Sequence, residues 1–490
     1  MRALIAFAAV AMLAGLIPAA DAAPDFNTYF VDETLRVDYF HVGHAAEELV
    51  TLDRVYRQGI WAGSRKHLID PFNTGNYYVK VYDAASGCLI YSKGFDSYFG
   101  EYKTTGPAGE GVRRTYHETA LFPCPRQKVR FTLEVRGRDR TLQPLFAAEI
   151  DPAAVTVDRT PLAADATVVE AHISGDPHGC VDIAVLGDGY TAVEADKFRA
   201  DLRRFVDVFF SLEPYKSHRD WFNFRGVLRP SADSGCDEPS RGVWRRNALG
   251  ASFDSLGLDR YMLTEENRAV RDAAAHVPYD AILIMVNQTR YGGGGIYNFF
   301  CTFTSDNQWH AYLLLHEFGH SFAGLADEYY TSAVAYNDFY PAGVEPTEPN
   351  ITALLDPARL KWADCVTPGT AVPTPWEKAA YDTLAAAGQK TRGELDARIA
   401  QAMRDGAPAD EVARLKAEAE RQSKESSDKM DAFLAASAFA GKVGAFEGAG
   451  YASQGLYRPM LDCLMFSKGD KAFCKVCERA VLRVMEHYRE

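Results

Sequence analysis

Past its N-terminal segment, the 490-residue chain has no apolar run long enough to cross a bilayer. It also lacks a positive excess: Lys+Arg number 53 against 66 Asp+Glu, a net charge of −13, which disfavours capture of nucleic acid or of an anionic membrane. The glycine run Tyr291-Gly292-Gly293-Gly294-Gly295-Ile296-Tyr297 is not followed by Gly-Lys-Ser/Thr, so a phosphate loop and nucleotide binding are excluded. Cys474-Lys475-Val476-Cys477 is a CxxC that could be redox-active or half of a structural metal site. With no second CxxC and no thioredoxin-like strand-helix-strand context, it is read as structural, beside the C-terminal helix.

What is present at the start is a secretory signal. Arg2 supplies the positive end, Leu4 to Ile17 the apolar stretch and Ala20-Asp21-Ala22 the cleavage site, so residues 1–22 are expected to be removed. The mature chain then begins at Ala23, is secreted or periplasmic, and keeps no membrane anchor. Export permits disulfides, and nine cysteines leave at least one thiol over. Cys88 and Cys124, the only two in the N-terminal region, are the expected pair.

A chain of this length should divide into two or three domains. Residues 23–152 alternate as strands do, in Thr34 to Phe40, Tyr77 to Tyr82 and Val129 to Val135, with Asp83 to Gly87 as a turn; the expected fold is an all-β sandwich. His41 and His44 form an HxxH within it but have no acidic or cysteine partner at ligand spacing, so they are read as surface histidines. Residues 153–179 read as a linker. From 180 to 490 the pattern becomes α/β, with strands at Val181 to Gly187, Phe222 to Leu228 and Tyr279 to Asn287, and a helix from about Val193 to Leu212. Residues 376–437 turn rich in Ala, Glu, Lys and Arg, a helical insertion broken at Gly406-Ala407-Pro408.

The chemistry gathers in Leu315-His316-Glu317-Phe318-Gly319-His320, within Trp309 to His320, where nothing breaks a helix. At about 100° per residue, His316 and His320 leave one helix face and can share a tetrahedral Zn²⁺. Glu317 lies beside that face, where a carboxylate can take a proton from metal-bound water. Asp327 would sit about 10 Å further along a continuous helix, so it can be the third ligand only if the helix ends near Gly324 and the chain turns back. Glu328 competes for that role.

The stretch HEFGHSFAGLADEY resembles the signature of the IgA metalloendopeptidase family, and within the zincins it is similar to a metzincin motif with one extra residue before the glycine. A second block, Phe446-Glu447-Gly448-Ala449 and Tyr457-Arg458-Pro459 to Cys463-Leu464-Met465, is also similar to that family. The resemblance implies a multidomain protein whose β-sandwich precedes a zincin-like α/β metallopeptidase domain. Met465 matches the place of a Met-turn, with a plain core methionine as the alternative. Tyr457, Tyr329 and Tyr330 are candidate donors to a developing oxyanion. Ile296 to Phe303 is offered as an edge strand that pairs with a substrate backbone, the glycines admitting the peptide.

These readings converge on a secreted zinc-dependent endopeptidase acting on protein or peptide substrates, with His316, His320 and Asp327 as ligands and Glu317 as base. The competing expectations are a catalytically silent binding or adhesin-like protein on the same fold, and a zinc amidase acting on cell-wall peptides.

Overall fold

The computed structural model describes residues 23–332, 334–336 and 339–489, so the expected signal segment 1–22 lies outside the described residues. The first region contains a one-turn helix α1 (Phe26–Tyr29), strands β1 (Phe30–His44), β2 (Glu47–Gln58), β3 (Tyr77–Asp83) and β4 (Leu89–Phe95), and short helices α2 (Tyr98–Tyr102) and α3 (Gly106–Gly109). Strands β5 (Arg114–Pro125), β6 (Val129–Arg136) and β7 (Leu142–Ile150) complete it. Two antiparallel sheets result, β2-β1-β5 and β4-β3-β6-β7. They share one core, in which Leu35, Val37 and Tyr39 of β1 join Val79, Val81, Phe122 and Phe131.

Strand alternation accounts for two departures here. His41 lies on the same face of β1 as Leu35, Val37 and Tyr39, so it is buried rather than superficial. There its ring stacks on Phe99 at 4.0 Å, with Glu118 Oε2 at 3.1 Å and Glu48 Oε2 at 3.2 Å. Cys124 is buried in the shared core, whereas Cys88 is exposed in the turn after β3; both are free thiols, and the expected disulfide is absent.

The second region opens with β8 (Thr167–His172), which occupies part of the stretch read as a linker, and continues with β9 (Val181–Asp188), α4 (Ala195–Phe209) and β10 (Phe222–Leu228). Short strands β11 (Ala251–Ser252) and β12 (Leu263–Thr264), helix α5 (Asn267–Ala274), strands β13 (Ala281–Val286), β14 (Gly293–Ile296) and β15 (Phe300–Thr304), and helix α6 (His310–Ala323) follow. A six-stranded sheet of order β14-β15-β13-β9-β10-β8 carries the domain. Its four inner strands are parallel, and the two edges β14 and β8 run antiparallel to them. Every residue of β9 is buried, because helices cover both faces of this central strand. Val181, Ile183 and Val185 pack with α4 and α6, while Ala184 and Leu186 pack with α5.

The remaining elements are the helical hairpin α7 (Lys378–Arg404) and α8 (Ala409–Ala435), the strand pair β16 (Phe446–Ala449) and β17 (Ala452–Arg458), and α9 (Lys475–His487). The hairpin turns at Gly406, whose φ of 68° is left-handed, and Tyr381, Ala385 and Leu434 root its base in the core. Its charged faces stay in solvent.

The sheet edge beside α6 is β14, not the whole of Ile296 to Phe303. Asn298, at φ 53°, turns the chain, so β15 lies one place inside the edge. The outer edge is short: Met262 N–H donates to Gly293 O at 3.4 Å and Asp96 N–H to Tyr297 O at 2.9 Å. The glycines line the cleft and also serve a close approach within the fold. A Cβ on Gly295 would lie 2.3 Å from Glu317 O and 2.9 Å from His320 Cβ, and one on Gly293 would lie 3.1 Å from Glu317 Oε1. They let α6 settle onto the strand. Gly295→Ala is therefore expected to overpack this contact and destabilise the fold by about 1–3 kcal/mol, read by denaturant unfolding; unchanged stability would show that the contact yields freely.

Candidate metal centre

Helix α6 ends where the ligand argument requires. Gly324 is left-handed at φ 59°, its N–H donates to His320 O at 3.0 Å, and Leu325 N–H donates to Gly319 O at 3.2 Å. The chain then leaves the axis and returns. Asp327 Oδ1 comes to 3.1 Å from His316 Nε2 and 3.2 Å from His320 Nε2, and the two Nε2 atoms are 3.2 Å apart. Ligand bonds of about 2.0–2.1 Å at tetrahedral angles give edges of about 3.3 Å, so the triangle fits one zinc-sized ion.

The protons make the case sharper. His316 Nδ1 lies 3.1 Å from Leu464 O, and His320 Nδ1 lies 2.6 Å from Leu325 O. A carbonyl can only accept, so both Nδ1 atoms carry hydrogen and both Nε2 atoms present lone pairs. Tyr451 O–H donates to Asp327 Oδ2 at 2.6 Å, leaving Oδ1 buried and without a hydrogen-bond donor among the described residues. With both rings neutral, three acceptors face one point, an arrangement that a shared cation or an added proton resolves. The same demand for positive charge shows in His320: burial opposes its protonation, but the Asp327 carboxylate raises its pKa to about 9. Burial also opposes ionisation of Asp327, yet the two histidines hold it well below the usual carboxylate range.

Glu317 is buried beside the triangle, and its burial raises the carboxyl above its ordinary value while His316 and His320 pull the other way. Glu328 points away from the histidines, because successive residues of an extended chain face opposite sides; its Oε1 meets Asn350 Nδ2 at 3.2 Å and Cys477 Sγ at 3.1 Å. Met465 is fully buried under α6, where a Cβ on Gly319 would lie 3.0 Å from its sulfur. Its neighbour Leu464 supplies the carbonyl that orients His316.

The tyrosines sort differently from expectation. Tyr457 does not line the cleft: alternation along β17 turns Leu456 and Arg458 inward and leaves Tyr457 beside Thr352, half-buried. Tyr330 O–H donates to Asp382 of α7 at 2.6 Å. Tyr329 does line the cleft, its ring stacked 6.3 Å from that of His316 and its hydroxyl accepting from Arg260 Nη2 at 3.2 Å. Arg260 carries no motif; Tyr451 follows the Phe446 to Ala449 stretch by two residues, but that stretch did not mark it as a site residue.

The centre opens into a cleft of about 650 Å³. One wall belongs to β14 and Tyr329, and the other to the N-terminal region, through Glu48, Glu101, Lys103 and Arg136. Burial raises the Glu101 carboxyl to about 7, and its Oε2 accepts from Tyr336 O–H at 2.6 Å.

Comparison with curated proteins finds no match. Among family models, the one described as IgA Peptidase M64 matches residues 169–485, and that of the Peptidase M64 N-terminus matches residues 25–147. The first spans the six-stranded sheet, apart from the first two residues of β8, together with the converging side chains, and the second covers most of the N-terminal region. The chain therefore belongs to the IgA Peptidase M64 family, a family of metallopeptidases.

Proposed function

We propose that the protein is a secreted zinc-dependent endopeptidase with a zincin-like catalytic domain, in which His316, His320 and Asp327 hold the metal. The observation that carries this reading is the buried triangle of acceptor atoms with sides of 3.1–3.2 Å, all three aimed at one point. When bound, zinc supplies Lewis acidity, lowering the pKa of its water to about 7 and polarising the scissile carbonyl.

The chain's own residues do the rest. Glu317, held over Gly293, accepts the proton of the attacking water and passes it to the leaving amine. Because Arg260 donates to the Tyr329 oxygen, the phenolic proton is left to turn toward the cleft, where it can meet negative charge developing on the substrate oxygen. Leu464 O and Leu325 O hold the imidazoles in register, and Tyr451 holds the carboxylate. The cleft wall from the N-terminal region supports a polypeptide substrate lying across both domains.

Glu317→Gln is expected to keep its zinc and lose about 10²–10⁴-fold in kcat/KM on a denatured protein substrate. Equal cleavage before and after the change would identify a protein that binds without hydrolysing, and selective cleavage of peptidoglycan peptides would move the activity to cell walls. Tyr329→Phe should lower kcat by about 10²-fold with little change in KM; a rise in KM alone would make Tyr329 a binding residue. Tyr451→Phe should weaken zinc affinity by about 10–100-fold, measured by competition with a chelator.

A further inference from the structure

Behind the catalytic triangle, on the far side of the Asp327-Glu328 segment, lies a second convergence of ligand-type atoms. Glu328, Cys463, Cys474 and Cys477 are all buried, and one ligand atom from each lies within 4.8 Å of all the others. We propose that these four side chains hold a second zinc ion, structural rather than catalytic.

Three observations carry this. The first is spacing. Cys463 Sγ and Cys477 Sγ are 3.8 Å apart, and Glu328 Oε1 is 3.1 Å from Cys477 Sγ and 3.8 Å from Cys474 Sγ. Zinc–sulfur bonds of about 2.3 Å at tetrahedral angles set sulfurs about 3.8 Å apart, whereas a disulfide needs about 2.05 Å. The second is the backbone. Cys463 Sγ accepts from Cys474 N–H at 3.2 Å and Met465 N–H at 3.4 Å, and Cys474 Sγ accepts from Cys477 N–H at 3.5 Å. Cys474 thereby caps the N-terminus of α9, whose dipole favours negative charge. Donors aimed at sulfur suit thiolates, which must lose their protons to bind metal.

The third is Glu328 itself. Asn350 serves Oε1, but Oε2 is buried with no hydrogen-bond partner among the described residues. Thiols are weak donors and those of Cys474 and Cys477 reach only Oε1, whereas a cation would give the carboxylate a full ligand bond. Three sulfurs and one oxygen in a buried set of four are a donor set that suits a structural zinc site with no place for water.

The position gives the ion a task. Glu328 adjoins Asp327, and its N–H donates to Met465 O at 2.8 Å. Cys463 begins the turn whose Leu464 O orients His316. A metal joining Glu328 to Cys463 therefore clamps together the two segments that aim the catalytic ligands. The α9 end, through Cys474 and Cys477, ties that clamp to the C-terminal helix.

The test uses the full secreted chain, purified without chelator, and elemental analysis with zinc and cobalt as probes. The expected content is about two zinc ions per chain, falling to about one in His316→Ala. That remaining site, exchanged with Co²⁺, should show a thiolate-to-cobalt charge-transfer band, and Cys463, Cys474 and Cys477 should resist alkylation until the metal is stripped. Cys477→His, which keeps a ligand, should retain the second ion with a weaker band if Cys477→Ser does not fold. About one zinc in the parent, with none in His316→Ala and no thiolate band, would overturn this site while leaving the catalytic reading intact. Recovery of any of the three cysteines as a disulfide in the freshly purified chain would also overturn it. Failure of the catalytic reading has a different signature: the thiolate band persists, and His316→Ala leaves the zinc content unchanged.

Discussion

Three buried lone pairs facing one point are the constraint around which the catalytic domain is arranged. Each unpaired acceptor costs about 1–3 kcal/mol when buried, and more when charged, so the polypeptide alone gains nothing by bringing His316, His320 and Asp327 together. Each is nevertheless held from behind, by Leu464 O, Leu325 O and the Tyr451 hydroxyl. The supports come from the turn after β17, the exit of α6 and the segment between β16 and β17. Stability has been spent on geometry, which is the mark of a functional site.

The close seating of α6 follows from that constraint. A helix carrying two proposed ligands must be fixed to within a fraction of an ångström, and Gly293 and Gly295 of β14 serve this by bringing strand backbone directly against the helix. Gly319 does the same on the opposite side, over Met465. The helix is gripped between a strand that presents Gly293 and Gly295 to it and a methionine that fills what remains.

What was legible in the sequence was whatever depends on local geometry. The i, i+4 histidines needed only the helix period, and the return of Asp327 needed only a glycine able to turn left-handed at position 324. The choice between Asp327 and Glu328 was not legible, because tertiary packing of Glu328 toward Asn350 and Cys477 decides which of the two neighbours meets the histidines. Strand assignments in β1, β3 and β6 followed from alternation. Tyr457 and His41 were misread because alternation tells which residues share a face but not which face is covered. The glycine run announced a close approach without naming the partner. The roles of Arg260 and Tyr451 were not legible because both reach the site through tertiary contacts, although Tyr451 adjoins the Phe446 to Ala449 stretch.

The same limit applies to the cleft's outer wall, and it changes how the N-terminal region should be regarded. Both faces of β1 are buried: one in the sandwich core, the other against α5, where Arg36 donates to Asp272 at 2.6 Å and pairs with Asp38. Asn267 Nδ2 donates to Thr119 at 2.9 Å in the same interface. Such buried polar contacts contribute little net stability but strongly penalise any other register between the domains. The interface therefore acts as a positioning device. It sets Asp96 against Tyr297 at the end of β14, and Glu101 against Tyr336 above the metal triangle. A sandwich attached by a flexible tether could not form half of a substrate cleft; this one, fixed by charge pairs at the buried centre of β1, can.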